Sequence, residues 1–333
     1  MISPGVRHVR PREYQEACAL LHERQAAPIA GGTELYLRMK QGVATPRSLV
    51  DLTDLPGMRQ IERLADGTLR LGAAVTISAL ERSPLVAEAA PVLAEAAQRV
   101  GAPQIRNMGS LGGNLCQETM CWWYNRTALW RQAKEPCYKA GGSLCHVVDQ
   151  EAVCYAAYRS DLAPILMSLE AELIVQGRQG ERRMGIDELY SGDAAFPFTL
   201  AAGELISAVL VRPLGEGDVA AFAKHAHRRS IDYPLVSLAV AARGWTNGAA
   251  GRLRIVLGAV SGMPIRVPEA EALLEAAGAG ERSVAEAAAL VAKHAKPVRN
   301  VSFGAPAYRR HIAKVLARRL LGDLLARRRA SSG

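Results

Sequence analysis

Two glycine-rich loops constrain this chain more than any other feature. The first, Ala30-Gly31-Gly32-Thr33-Glu34, follows the apolar run Pro28-Ile29-Ala30. It leads into Leu35-Tyr36-Leu37-Arg38-Met39-Lys40, which reads as a helix. The second runs Ile105-Arg106-Asn107-Met108-Gly109-Ser110-Leu111-Gly112-Gly113-Asn114-Leu115 and combines three glycines, a hydroxyl and two Asn amides. Glycine permits positive φ and lets a ligand approach the backbone closely. The first amides of a helix are unpaired donors at the positive end of its dipole, which suits a phosphate. Gly-Gly is also common turn chemistry, so the first loop alone says little. Together the two loops could close on one pyrophosphate from opposite sides. Neither a G-x-G-x-x-G dinucleotide fingerprint nor a G-x-x-x-x-G-K-[ST] triphosphate loop is present, which disfavours a standard NAD or ATP site.

At 333 residues the chain is expected to form two domains. Residues 11–25 read as a helix with Pro11 in its first turn, residues 68–73 as a strand after the Asp66-Gly67 turn, and residues 85–100 as helix broken near Pro91. Strands are expected at Ala171–Val175 and Glu204–Val211, with Gly215–Asp218 as a linker. Beyond it, Leu235–Trp245 and Leu253–Ala259 flank the hairpin signal Asn247-Gly248. Helices follow at about 268–277, 283–295 and 307–326. The outline is a mixed helix and strand domain over 1–215, then a smaller α+β domain over 216–333. The N-terminus has no apolar signal core and no stretch approaches the roughly 18 apolar residues of a membrane span, so a cytoplasmic protein with no membrane partner is expected. The net charge of +9 gathers partly on an amphipathic C-terminal helix. With no aromatic interleaving, nucleic acid is not the expected partner; an acidic protein is.

Residues 117–155 break the regular pattern. The stretch 116–155 holds five of the six cysteines and three of the four tryptophans. Cys121, Cys137, Cys145 and Cys154 form C-x15-C-x7-C-x8-C. Disulfides are unfavourable in a reducing compartment, and a long irregular loop needs a staple that a metal centre supplies. Structural zinc sites use tight C-x2–4-C pairs, absent here, whereas iron–sulfur ligands tolerate irregular spacing; the chemistry alone leaves both open. Trp122, Trp123, Tyr124, Trp130 and Tyr138 read as the loop's own packing and a shield against water. Cys18 reads as core, and His146 as a bystander to a complete thiolate set.

The two glycine loops resemble the FAD-binding signatures of the flavoprotein subunits of xanthine dehydrogenase-type molybdenum enzymes. Leu71-Gly72-Ala73-Ala74-Val75-Thr76, Ser160-Asp161-Leu162-Ala163-Pro164, Phe222-Ala223-Lys224 and Tyr308-Arg309-Arg310 agree in family order. Glu34 stands where the family usually has Asp, and Ser110 where it usually has Thr. The resemblance implies an α+β fold: a two-part FAD-binding domain of the PCMH/vanillyl-alcohol-oxidase type, then a smaller domain like that of the CO dehydrogenase flavoprotein. It implies that Ile29, Ala30, Gly31, Gly32, Thr33, Glu34 and Leu35, with Ser110, Leu111, Gly112, Gly113 and Asn114, hold the FAD pyrophosphate. It puts Val100 and Gln117 against the cofactor, Asp161 on the adenosine part, and Lys224 near the flavin from the second domain. Without it, Asp161 could be a helix cap and Lys224 a surface lysine.

The insert resembles the cluster-bearing loop of the 4-hydroxybenzoyl-CoA reductase branch. That resemblance implies a [4Fe-4S] cluster on Cys121, Cys137, Cys145 and Cys154, with Cys116 not a ligand. It implies an oxidoreductase subunit passing electrons from ferredoxin through the cluster and FAD to a molybdopterin-bearing large subunit and a [2Fe-2S] small subunit, in reductive dehydroxylation of 4-hydroxybenzoyl-CoA to benzoyl-CoA during anaerobic aromatic degradation. The alternative is the FAD subunit of a related molybdenum hydroxylase or dehydroxylase with another aromatic substrate. No acid/base or nucleophile set for substrate chemistry stands out, which suits a subunit whose cofactors carry the reaction. A zinc-stapled scaffold and a free-standing flavin oxidase are the competing readings.

Overall fold

The computed structural model describes residues 5–148, 151–228, 231–245, 251–278, 280–298 and 304–331, with side chains to residue 324. Strand β1 (Arg7–Val9), helix α1 (Tyr14–His22), β2 (Ala26–Ile29), α2 (Leu35–Lys40) and β3 (Ser48–Asp51) open the chain. β3 lies between β1 and β2 in a small parallel sheet. The first glycine loop therefore leaves the end of β2 and enters α2 directly. Helix α1 starts at Tyr14, not in the turn containing Pro11, and Glu13 occupies its cap position.

A five-stranded antiparallel sheet follows. Its strands are β4 (Ile61–Arg63), β5 (Leu69–Gly72), β6 (Glu172–Gly177), β7 (Gly180–Gly185) and β8 (Leu205–Val211), in the order β4-β5-β8-β6-β7. Between β5 and β6 come α3 (Ile77–Arg82), α4 (Pro84–Ala89), α5 (Pro91–Gln98), α6 (Pro103–Met108), α7 (Leu111–Leu115), α8 (Ala128–Gln132) and α9 (Leu162–Ser168). The break near Pro91 is real: Ala90 leaves helical geometry and Pro91 starts α5. Proline fits there because a first-turn amide needs no partner.

The last sheet contains β9 (Val219–His225), β10 (Val236–Arg243), β11 (Arg252–Gly258) and β12 (Ile265–Arg266) in antiparallel order β12-β11-β10-β9. β10 and β11 pair as the expected hairpin; Asn247-Gly248 lies outside the described residues. Helices α10 (Pro268–Ala277), α11 (Glu281–His294) and α12 (Pro306–Ser331) cover one face. Side chains alternate across a strand. Val236, Leu238, Val240 and Ala242 of β10 join the core under these helices, while Ala239 and Ala241 join the core of the first part of the chain. β10 is thus buried on both faces and ties the two parts together. Among the described residues, no helix is long and apolar enough to cross a membrane.

Candidate functional site

The two glycine loops meet. A Cβ on Gly31 would overlap the Met108 carbonyl, well inside the 3.0 Å that real Cβ atoms respect. Gly32 has φ +69°, a conformation glycine adopts without strain. The second loop is pinned from behind by the segment after β5. Ile77 N–H donates to Gly109 O (2.9 Å), Leu111 N–H to Val75 O (2.9 Å) and Gly112 N–H to Ala73 O (2.8 Å). A Cβ on Gly112 would stand 2.9 Å from Ala73 Cβ.

The loops differ in what they offer a ligand. In the second, Gly113 N–H donates to the Ser110 hydroxyl (3.1 Å) and Asn114 N–H to Ser110 O (2.9 Å), so the amides from Leu111 to Asn114 are all spent within the chain. Ser110 caps α7, and its glycines serve close packing. In the first loop, the amides of Gly31, Gly32, Thr33 and Glu34 take no acceptor among the described residues. The Asn114 side chain bridges onward: its Oδ1 accepts from Ser160 Oγ (2.6 Å) and Leu162 N–H (3.3 Å).

Asp161 precedes α9 but does not cap it. Its carboxylate instead meets Lys224 of β9 at 2.8 Å, and the same ammonium donates to Arg99 O, next to buried Val100, at 2.8 Å. The structure thus joins two residues that the sequence reading assigns to opposite ends of a cofactor. The Asp161 and Lys224 side chains are 5% and 7% exposed. Burial pushes the Asp161 carboxyl up to about 6 against the pull of Lys224, and its other oxygen, Oδ1, is buried without a hydrogen-bond partner among the described residues. Buried polar atoms seldom go unpaired, so this one asks for a donor. Gln117 is buried and lies close enough to Tyr233 to lower its phenol against the rise that burial causes. Tyr233 lies in the β9–β10 connection, within electrostatic reach of Glu34, Arg159 and Asp161. The sequence reading missed it because nothing local marks a tyrosine between two strands.

Glu34 is the most perturbed side chain of the first loop. Burial pushes its carboxyl up to about 7, against Arg38 at 3.9 Å and the Glu118 N–H at 3.4 Å. Cys116 is pushed up to about 12 by burial beside Glu34 and Glu118, so it stays a thiol.

The insert leaves the body at an antiparallel bridge between Met120 and Ala157, with N–H···O bonds of 2.8 and 2.9 Å. Helix α8 docks on the end of α2, where Arg131 donates to Gly42 O at 2.6 Å. The aromatic residues form a small core: Trp123 packs edge-on against Trp122 and Trp130, and tilted on His146 with ring centres 4.7 Å apart. Cys121, Cys137, Cys145 and Cys154 line one cavity, with His146, Tyr124, Tyr138 and Lys139 among its other walls. Three of the sulfurs receive a backbone N–H from two residues on: Trp123 to Cys121 (3.4 Å), Val147 to Cys145 (3.4 Å) and Ala156 to Cys154 (3.5 Å). Burial raises the Cys121 thiol, and pushes Cys154 up to about 11. Yet among the described residues no three His, Cys, Asp or Glu side chains stand close enough to share a single metal ion. The expected [4Fe-4S] centre is to that extent not supported: the four thiols line one cavity, but they form no such group.

An α+β fold with paired glycine loops and a buried carboxylate–ammonium pair beside the residues that Asn114 holds defines a class of cofactor-binding subunit, and comparison with known proteins agrees. Residues 4–213 match the FAD binding domain in molybdopterin dehydrogenase, and residues 221–324 the CO dehydrogenase flavoprotein C-terminal domain. The chain belongs to the FAD-binding oxidoreductase subunits of the molybdenum hydroxylase family. The nicotine 6-hydroxylase medium subunit of Paenarthrobacter nicotinovorans is 28% identical over 97% of this chain and 99% of its own length. The aldehyde oxidoreductase FAD-binding subunit of Escherichia coli is 32% identical over 74% of this chain and 78% of its own. A solved carbon monoxide dehydrogenase from Hydrogenophaga pseudoflava superposes with a TM-score of 0.79 at 25% identity, covering 98% of this chain and 99% of that one. These names span nicotine, aldehyde and carbon monoxide chemistry and do not point to 4-hydroxybenzoyl-CoA, nor do they describe a [4Fe-4S] cluster in such a subunit.

Proposed function

We propose that this chain is the FAD-bearing electron-transfer subunit of a molybdenum hydroxylase-type complex acting on an aromatic compound, with the substrate site on a molybdopterin-bearing large subunit and a [2Fe-2S] small subunit beside it. The carrying observation is the run of four backbone amides from Gly31 to Glu34 with no acceptor among the described residues, packed where an added Cβ would clash. Such a run suits an anionic pyrophosphate. Ile29, Ala30 and Leu35 frame this loop. Ser110, Leu111, Gly112 and Gly113 form the opposing wall, and Asn114 adds a side-chain amide. Asp161 Oδ1 is an acceptor for a cofactor hydroxyl. Val100, Gln117, Lys224 and Tyr233 close the inner side, where they exclude water and fix charge.

A second reading adds a [4Fe-4S] cluster held by Cys121, Cys137, Cys145 and Cys154. It is favoured by the four thiols around one cavity and by the N–H donors to their sulfurs, which tune such centres. This reading carries the 4-hydroxybenzoyl-CoA reductase assignment and ferredoxin as electron donor; the +9 charge would steer such an acidic partner. When bound, FAD supplies one- and two-electron chemistry and the cluster one-electron chemistry.

The test is flavin, iron and sulfide analysis of anaerobically purified protein. FAD with four irons and four sulfides per chain supports both readings. FAD without iron ends the second alone, and absence of FAD ends the first. Cys137→Ser is expected to lose the iron and keep the flavin, because the glycine loops lie outside the insert. Full iron in that variant would refute the ligand set.

A further inference from the structure

One buried cation lines the four-cysteine cavity and another an adjoining cavity that shares two of its cysteines, and neither the flavin site nor the ligand set uses them. Lys139 lies between Cys137 and Cys145 in sequence, lines the cavity, and has a side chain only 5% exposed. A buried ammonium must be held by partners. Its Nζ meets Glu118 Oε2 at 2.8 Å and Ala194 O at 3.1 Å, and donates to Thr119 Oγ1. It also sits 5.5 Å from the ring centre of Tyr124. Four such partners are more than a surface lysine needs, and they fix its charge in the cavity that Cys154 also lines.

Arg159 arrives from the other side of the insert's base, two residues after Ala157 and two before Asp161. It is 2% exposed and lines a second cavity of about 190 Å³, which shares Cys121 and Cys154 with the first. Burial and the neighbouring Arg309 push its guanidinium down to about 9, so it keeps its charge at neutral pH, within electrostatic range of Tyr233 and Cys121. Lys296 and Arg309 line the same cavity, and no carboxylate does so among the described residues. Charge in such a place is poorly screened by salt or water.

We infer that Lys139 and Arg159 are positioning cations for the four-cysteine centre, setting its reduction potential by holding fixed positive charge against Cys154 and Cys121. The inference rests on the cluster reading above. A centre ligated by four thiolates carries net negative charge that grows on reduction, so nearby cations favour the reduced state. Removing one should lower the potential; replacing it with the other basic residue should not.

The experiment uses the anaerobically purified full chain and redox titration followed by the EPR signal of the reduced cluster. Lys139→Met and Arg159→Met are each expected to keep their FAD and to disfavour the reduced cluster about tenfold, a fall of about 59 mV for one electron. Lys139→Arg and Arg159→Lys are expected to stay near the wild-type value. Iron lost from the Met variants but kept in the conservative ones also supports a need for charge. Potentials unchanged in both Met variants, or iron lost equally from the conservative ones, would overturn it. A wild-type chain without iron and sulfide is a distinct result: it ends the cluster reading, and this inference falls with it.

Discussion

At the scale of single residues, the first glycine loop is built around an absent side chain. Gly31→Ala would drive a methyl into the Met108 carbonyl, and backbone cannot swing aside as a side-chain tip can. The expected cost is about 1–3 kcal/mol, in line with overpacking elsewhere. A sharp fall in FAD per chain should accompany it, read from the flavin absorbance of purified protein; full flavin content would show that the loops need not touch. Glu34 gives a pH signature. Its folded value of about 7 lies above the unfolded value near 4.5, so the carboxyl favours the fold while protonated. That contribution is complete below pH 4.5 and is lost as pH rises through 7, about 3 kcal/mol for a shift of this size. Urea unfolding at pH 5 and pH 8 should show Glu34→Gln losing less stability than wild type across the interval. Parallel curves would mean that Glu34 is solvated.

At the scale of elements, the pair formed by Asp161 ahead of α9 and Lys224 on β9 is a buried polar bond between the two parts of the chain. Lys224→Met leaves a buried carboxylate without its partner. The expected loss is about 3 kcal/mol at pH 7.5, from the cost of breaking a buried pair, and it should shrink below pH 6 as Asp161 takes up a proton. Adding Asp161→Asn should recover much of it; a double variant as weak as the single one would contradict the pairing. These elements also mark where sequence is readable. Strand β8, the β10–β11 hairpin and helices α5, α10 and α11 follow from apolar periodicity and proline position. Strands β1 and β7 do not: Arg7-His8-Val9 and Gly180-Glu181-Arg182-Arg183-Met184-Gly185 are polar edge strands whose charges discourage stray pairing and conceal the strand pattern. In the site, both loops were legible because glycine clusters are local signals. Tyr233, Lys139 and Arg159 were not, because each acquires its role from residues far along the chain. The capping alternative for Asp161 had the opposite fault, trusting a local pattern where a distant lysine won.

At the scale of the molecule, β10 decides whether the flavin-binding part can stand alone. Ala239, Ala241, Phe222 and Val256 complete the first core from the far side of the linker. A chain ending at residue 215 would expose that apolar face and lose Lys224. It is expected to aggregate or to bind no FAD, as size-exclusion chromatography would report; a monomeric, yellow fragment would refute the shared core. The same reasoning predicts one cooperative thermal transition for the full chain.

The Met120–Ala157 bridge carries a consequence for ancestry. Because the segment it closes departs and returns at neighbouring points of an otherwise continuous scaffold, acquiring or discarding that appendage costs little loop-closure entropy and disturbs no sheet. A lineage could graft such a segment onto an inherited flavoprotein in one event and refine the joint afterwards through residues such as Arg131.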